Sequence, residues 1–418
     1  MHQSIATLGY FVMIFLAWLM SSHKRYFPWR VVLGGTLLQF VFAWLTIRTT
    51  LGRLFFEKAG AFFNTLMDFV DEGSVTVFGE SFRDHYFAFK VLPTIIFFSA
   101  LMSVLYHLGV MQFIVRILGY VMQMTLGTSG AESLSASANI FVGQTEAPLV
   151  VRPYIARMTR SELMAVMVGG FATVAGGVMA LYVGWGINAG QLMAASVISA
   201  PAGLLMAKVL QPEVDIPETL GLSRHEIPRE TANLIEAATT GAADGLKLAL
   251  NVGAMLLAFF GLIAMFDYGL THGSAWAFEL IGRQDWQPLT MSRILGVVFS
   301  PIAWLMGVEW KECSLVGQLL GVKMVATELV AYKQLQGMIG DVDAGIAPTL
   351  SKRAILIATY ALCGFANFAS IGIQIGGIGA IAPERRKDLT QLGMRAMLGG
   401  TLACCMTACI AGVLTESD

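Results

Sequence analysis

The chain has 418 residues, 56% of them hydrophobic and only 13% charged, with a net charge of −1 and a mean hydropathy of +0.67. An ordinary globular domain is about 45–50% apolar and about 25% charged, so a water-soluble fold of this length is excluded and most of the chain must face lipid. No basic excess exists to make an electrostatic footprint for nucleic acid.

A bilayer core of about 30 Å takes about 20 mostly apolar residues per helix. Read in chain order, "SIATLGYFVMIFLAWLM" lacks a basic region before it and a small-residue cleavage site after it. It reads as a first transmembrane helix rather than a cleaved signal. Candidate spans lie at roughly 4–20, 31–47, 91–115, 161–183, 189–209, 248–268, 353–380 and 389–414. Residues 52–72 mix charges and aromatics at helical spacing, the pattern of an interfacial helix lying along the membrane. Residues 210–247 form the one long polar connection, expected to be helical in its second half.

Two stretches, roughly 130–150 and 291–335, are apolar but broken by Gly, Pro, Ser, Asn and Glu. An unpaired polar group in hydrocarbon costs several kcal/mol, so these are poor lipid-facing spans and good re-entrant hairpins buried in protein. Arg152, Arg157 and Arg160 precede the span near 161–183, and Arg385, Arg386 and Lys387 precede the last span. Both helices should therefore begin in the cytoplasm, although charge around the second span is balanced and does not settle the orientation alone.

The first broken stretch contains "GQTEAPLVVRPY" (143–154), and the second contains "MVATELVAYKQ" (324–334). Downstream of the first lies "GGFATVAGGVM" (169–179), and downstream of the second "CGFANFASIGI" (363–373). Thr-Glu and then Gly-Phe-Ala-(Thr/Asn)-x-Ala recur in the same order, which marks an internal repeat. Paired interrupted segments at corresponding positions of two halves are the sequence pointer to a transporter's binding site. Glu146 and Glu328 then become tip carboxylates facing a protein-lined cavity, because intramembrane ionisable groups are costly and functional. The fold class is an all-α polytopic membrane protein with about eight transmembrane helices, two re-entrant helical hairpins, an interfacial helix and an inverted repeat.

Other features carry less. The five cysteines form no CxxC pair and read as small buried hydrophobes. The six histidines have no metal-ligand spacing, and "GGIGAIAP" (376–383) follows no strand. No DDxxD pair and no nucleophile elbow supports an intramembrane enzyme. Asn251 reads equally as a cavity residue or as a link between helices.

With "GQTEAPLVVRPYI", "MVATELVAY" and "CGFANFASIGIQIGGIG" in hand, the sequence resembles the concentrative nucleoside transporter family over nearly its whole length. The resemblance implies a sodium-coupled nucleoside symporter of the inner membrane, a homotrimer, and elevator-like movement of a transport domain against a trimerising scaffold. Roughly 1–115 and 210–290 would be mainly scaffold, and roughly 116–209 and 291–418 mainly transport domain. The resemblance implies that Gln144, Thr145 and Glu146 face the nucleobase. Glu328, Asn367 and Ser370 would hold the ribose hydroxyls, with Phe365 and Val178 in apolar contact. It places sodium on the side chains of Asn139 and Thr173 and on the carbonyls of Val142 and Val174. A carboxylate accepts two hydroxyls, and an amide both donates to and accepts from a base edge, so the residue types suit a nucleoside. Glu146 and Glu328 are each able to carry a proton, which leaves proton coupling as the alternative.

Overall fold

The computed structural model describes residues 2–80, 89, 92–221, 231–283, 286–340 and 347–415. Among them no strand occurs. The helices are α1 (His2–Leu19), α2 (Trp29–Ala43), α3 (Thr50–Phe78), α4 (Leu92–His107), α5 (Val110–Leu126), α6 (Gly130–Ala138), α7 (Arg152–Ile155), α8 (Arg160–Ala172), α9 (Gly176–Gly184), α10 (Ala189–Leu210), α11 (Leu234–Leu280), α12 (Met291–Leu305), α13 (Trp310–Val325), α14 (Glu328–Ile339), α15 (Lys352–Leu362), α16 (Phe368–Ile381) and α17 (Arg386–Leu414). Five segments are long and apolar enough to cross a membrane: α1, α2 extended to Arg48, α8 with α9, α10, and Pro383–Leu414. Two bent pairs add to them, α4 with α5 at 77° and α12 with α13 at 116°.

Several expected spans divide. The stretch 91–115 splits into α4 and α5 at Gly109, whose φ of +84° is open to glycine and strained for other residues. The stretches 161–183 and 353–380 are each two helices separated by an extended break, at 173–175 and 363–367. The stretch 248–268 is the middle of α11, 47 residues long, which also takes up the end of the polar connection. Residues 222–230 of that connection and the side chain of Asn251 lie outside the described residues. The interfacial segment 52–72 is the centre of the 29-residue α3. Residues 291–335 hold three helices rather than one hairpin: α12 turns into α13, and α13 turns into α14 at Ala326–Thr327. The second hairpin is therefore α13 and α14, with Glu328 at its tip.

The repeat is visible in this order. A hairpin (α6, its tip and a 3-10 turn at Ala147–Val151) is followed by the broken helix α8–α9. The hairpin α13–α14 is followed by the broken helix α15–α16. A reciprocal serine–carboxylate bond ties each hairpin to its broken helix. In the first half Ser129, the N-cap of α6, donates its hydroxyl to Glu162 of α8 at 2.6 Å. In the second half Ser351, the N-cap of α15, donates to Glu312 of α13 at 2.9 Å. Both carboxylates sit at the third residue of their helix, where the helix dipole and the unpaired amides favour a negative charge. Lys208 of α10 joins the first tie through Glu132 at 2.7 Å, with both side chains buried.

The two breaks meet in the middle of the molecule. Gly364 has φ +131°, and a Cβ there would stand 2.6 Å from the Phe171 carbonyl oxygen. Cys404 of α17 donates its thiol to the Cys363 carbonyl at 2.7 Å beside this crossing. Outside this body, α11 packs along α4 through Gly241 and Gly245, a small-xxx-small seam. A Cβ at Gly245 would reach Ile96 Cα at 2.8 Å, so the two backbones lie against each other. By contrast α1 packs on α17, and α2 on α10.

Candidate functional site

Each break leaves backbone groups without helical partners and directs polar side chains into the centre. At the second break Asn367 is the N-cap of α16, and its Oδ1 accepts from the Ser370 amide at 2.9 Å. Capping consumes the oxygen and frees the amide nitrogen, which donates to Glu328 Oε2 at 2.9 Å. Glu328 opens α14 directly after its N-cap Thr327, so its carboxylate lies at a helix N-terminus. Its other oxygen accepts from the Tyr182 hydroxyl of α9 at 3.4 Å. Tyr182 stacks on Tyr332 of α14 with ring centroids 4.1 Å apart, and Tyr332 is fixed by its bond to the Thr359 carbonyl at 2.7 Å. Burial of Glu328 is nearly complete at 2% exposure. Among the described residues neither Glu328 nor Glu146 forms an ion pair, so neither serves as a structural counter-charge.

The first hairpin tip reaches the same cluster. Gln144 donates to Ser370 Oγ at 3.1 Å and accepts from Gln374 Nε2 at 3.0 Å. Gln144, Ser370, Asn367 and Glu328, four of the sequence-derived substrate residues, thus form one connected network. It joins the tips of both hairpins to the start of α16. Thr145 turns its methyl group to Gly377 of α16, the glycine that leaves room for it. Val178 is buried in the first turn of α9, and Phe365 is half-buried in the second break.

Glu146 stands apart from this network. It lines a cavity of about 470 Å³ between the first hairpin tip, the α8–α9 break, α4 and α11. Val142, Gly176, Tyr106, Glu236 and Asp244 share that cavity, and Glu328 does not. The hydroxyl of Tyr106 is buried there without a hydrogen-bond partner. The Glu328–Asn367–Ser370–Gln144 cluster is closed by its own hydrogen bonds, while the Glu146 side is open.

The four residues assigned to sodium also come together. Asn139 caps the C-terminus of α6 and Thr173 that of α8, so each lies at the negative end of a helix dipole. Asn139 Nδ2 donates to Ser135 O at 3.1 Å, and its Oδ1 is buried with no partner. Thr173 uses its hydroxyl hydrogen on Gly169 O at 2.9 Å, which leaves the oxygen lone pairs unused. Val142 and Val174 lie outside any helix, so their carbonyls are free of the helical ladder. A bond from Gly176 N to Phe141 O at 2.9 Å holds the two segments together. An orphaned amide oxygen, a hydroxyl and two loose carbonyls make a neutral all-oxygen set, which fits a hard monovalent cation.

Sequence reasoning missed Gln374, Tyr182 and Tyr332. Gln374 stands inside the quoted "IGIQIGGIG" as the one amide on an apolar helix, and that isolation was the available signal. Tyr332 closes the quoted "MVATELVAY", but its stacking on Tyr182 carries no signal short of the fold.

Three family models match in sequence order. They are described as the Na+ dependent nucleoside transporter N-terminus over residues 8–81, nucleoside recognition over 88–187, and the Na+ dependent nucleoside transporter C-terminus over 191–412. An uncharacterized transporter of Haemophilus influenzae is 44% identical over 97% of this chain and 96% of its own length. The chain belongs to the Na+-dependent nucleoside transporter family. Human solute carrier family 28 member 3 is 42% identical over all of this chain and 60% of its own length. Rat sodium/nucleoside cotransporter 1 is 41% identical over 99% of this chain and 64% of its own. This chain therefore spans about three-fifths of these mammalian relatives. CNTnw in an inward-facing substrate-bound state superposes with a TM-score of 0.89 at 42% identity, over 99% of this chain and 98% of that one. A variant of CNTnw in an outward-facing state superposes at 0.90, again at 42% identity and over the same shares. The relatives are transporters rather than enzymes, and sodium is the family's coupling ion. With its several membrane-length helices, the chain is a multi-pass protein of the plasma membrane.

Proposed function

We propose that this chain is a secondary active transporter that carries uridine-like nucleosides inward with sodium. The observation that supports it best is the single hydrogen-bonded network of Gln144, Ser370, Asn367 and Glu328, drawn from both hairpin tips and the second helix break. Each member is an alternative partner for a nucleoside. Glu328 accepts two ribose hydroxyls in place of Asn367 and Tyr182. Ser370, released by Gln144, binds a third polar group, and Gln144 turns to the base with Thr145 and Glu146. Phe365 and Val178 supply apolar contact. Protein–protein hydrogen bonds are exchanged for protein–substrate ones, so binding need not leave a buried group unpaired.

Sodium held by Asn139, Thr173 and the carbonyls of Val142 and Val174 supplies the coupling charge and fixes the first hairpin against the first break. Because Phe141 O and Gly176 N already link these segments, ordering them pre-positions Gln144, Thr145 and Glu146. In the elevator movement we assign, α6–α10 and α12–α17 travel together as the transport body, joined by the serine–carboxylate ties and the crossed breaks. The scaffold centres on α4 and α11, within the 1–115 and 210–290 ranges. We group α1, which packs on α17, and α2, which packs on α10, with the moving body. We assign a homotrimer formed through the scaffold, with lipid around it.

The test is competition against labelled uridine uptake in proteoliposomes. Removing the 2′ and 3′ hydroxyls leaves buried partners unsatisfied at roughly 1–3 kcal/mol each. We expect 2′,3′-dideoxyuridine to compete far more weakly than uridine. Equal competition overturns the ribose assignment.

A further inference from the structure

Gln374 lies on α16, fully buried, and its amide is oriented by a group that has only one role. The carbonyl of Met167 accepts and cannot donate, and Gln374 Nε2 lies 3.1 Å from it. The same nitrogen is 3.0 Å from Gln144 Oε1. Turning the Gln374 amide over would set its oxygen against Met167 O and Gln144 Oε1, acceptor to acceptor. The oxygen of Gln374 has no partner, so the flipped nitrogen would gain nothing. Gly170 makes the arrangement sterically possible: a Cβ there would stand 2.8 Å from both Gln144 Cβ and Gln374 Nε2. Held in this orientation, Gln144 keeps its oxygen toward Gln374 and its amide nitrogen toward Ser370 Oγ.

We infer that Gln374 is a positioning residue that fixes Gln144 as a hydrogen-bond donor toward the base. The site thereby selects bases that present a carbonyl oxygen at the pyrimidine 4- or purine 6-position, as uracil and hypoxanthine do, over bases that present an amino group there, as cytosine and adenine do. This rests on the reading of Gln144 as a base contact. A free amide would serve either class by rotating half a turn, whereas a fixed donor meets an amino group with a donor and leaves both unpaired.

The experiment measures inhibition of labelled uridine uptake by unlabelled uridine and cytidine, at saturating sodium, in proteoliposomes. The wild-type protein is expected to prefer uridine by roughly three- to tenfold, one net hydrogen bond. Gln374→Leu, which removes the donor at similar volume, should bring that ratio close to one and leave the sodium half-saturation in place. A purely structural role for Gln374 would lower both affinities together and keep the ratio. Gln374→Met, more adaptable in shape, gives the same reading if the leucine variant fails to fold. Gln144→Ala separates the two ideas. If it leaves the ratio untouched, Gln144 does not read the base and the functional assignment of that residue fails. If it moves the ratio while both Gln374 variants do not, the positioning role fails alone. Equal wild-type affinity for uridine and cytidine overturns the donor assignment directly.

Discussion

Asn367 performs two tasks with two atoms, and substitutions separate them. Its oxygen caps α16 through the Ser370 amide, and its nitrogen holds Glu328, each at 2.9 Å. Serine is as good an N-cap as asparagine, whereas alanine at an N-cap costs about 0.5–2 kcal/mol. Neither has a side-chain donor long enough to replace the amide nitrogen at Glu328. In the bound state that nitrogen turns to a ribose hydroxyl, and leaving the buried hydroxyl unpaired costs about 1–3 kcal/mol. At 1.4 kcal/mol per decade that is roughly 5- to 150-fold in affinity. Thermal unfolding in detergent should therefore rank the wild type above Asn367→Ser, and Asn367→Ser above Asn367→Ala. Uridine binding by calorimetry at saturating sodium should instead be weakened by a similar factor in both variants. If Asn367→Ser regains uridine affinity together with its stability, Asn367 is only a helix cap and the ribose-reading role assigned to it is refuted.

Thr173→Ala removes one oxygen of the proposed sodium set and should raise the sodium half-saturation of uptake more than it lowers the maximal rate; the reverse pattern would move the ion elsewhere. Lys208→Met leaves the buried Glu132 without its ion-pair partner, and breaking a buried pair costs about 3–5 kcal/mol. Its unfolding temperature should fall sharply, and an unchanged one would contradict the role given to this tie. Native mass spectrometry from mild detergent should report a trimer, and a monodisperse monomer that still binds uridine would count against the proposed assembly.

The hairpin tips and the repeat were legible because their polar residues interrupt apolar runs. A polar group in hydrocarbon has few benign explanations, so Gln144, Glu146 and Glu328 declare themselves. Hydropathy is blind to where a helix stops inside the membrane: 161–183 and 353–380 average as apolar despite Thr173 and Asn367, yet each contains an extended break. The Gly-Phe-Ala repeats marked those breaks, but composition alone read them as spans. The turns at Gly109 and between α12 and α13 escape hydropathy for the same reason, so the second hairpin, although its tip at Glu328 is right, is narrower than the apolar stretch 291–335. Pairings across long separations were beyond reach. Gln374 and Gln144 stand 230 positions apart, and Tyr182 and Glu328 stand 146 apart. Nothing local in either segment names the other. The seam between α4 and α11 is written as Gly241-xxx-Gly245, but it lies in the stretch that composition marks as a polar connection, where a packing seam between helices is not expected.

Sodium-coupled nucleoside binding is the central claim, and calorimetric titration of uridine at a series of sodium concentrations and two pH values tests it most directly. Asn139, Thr173, Val142 and Val174 offer only neutral oxygens, a set suited to sodium and poor at carrying a proton. Uridine affinity should rise with sodium and vary little with pH. By linkage, uridine should raise sodium affinity by the same factor. Affinity that ignores sodium and tracks pH would contradict the account and make Glu146 or Glu328 the carrier of a coupling proton.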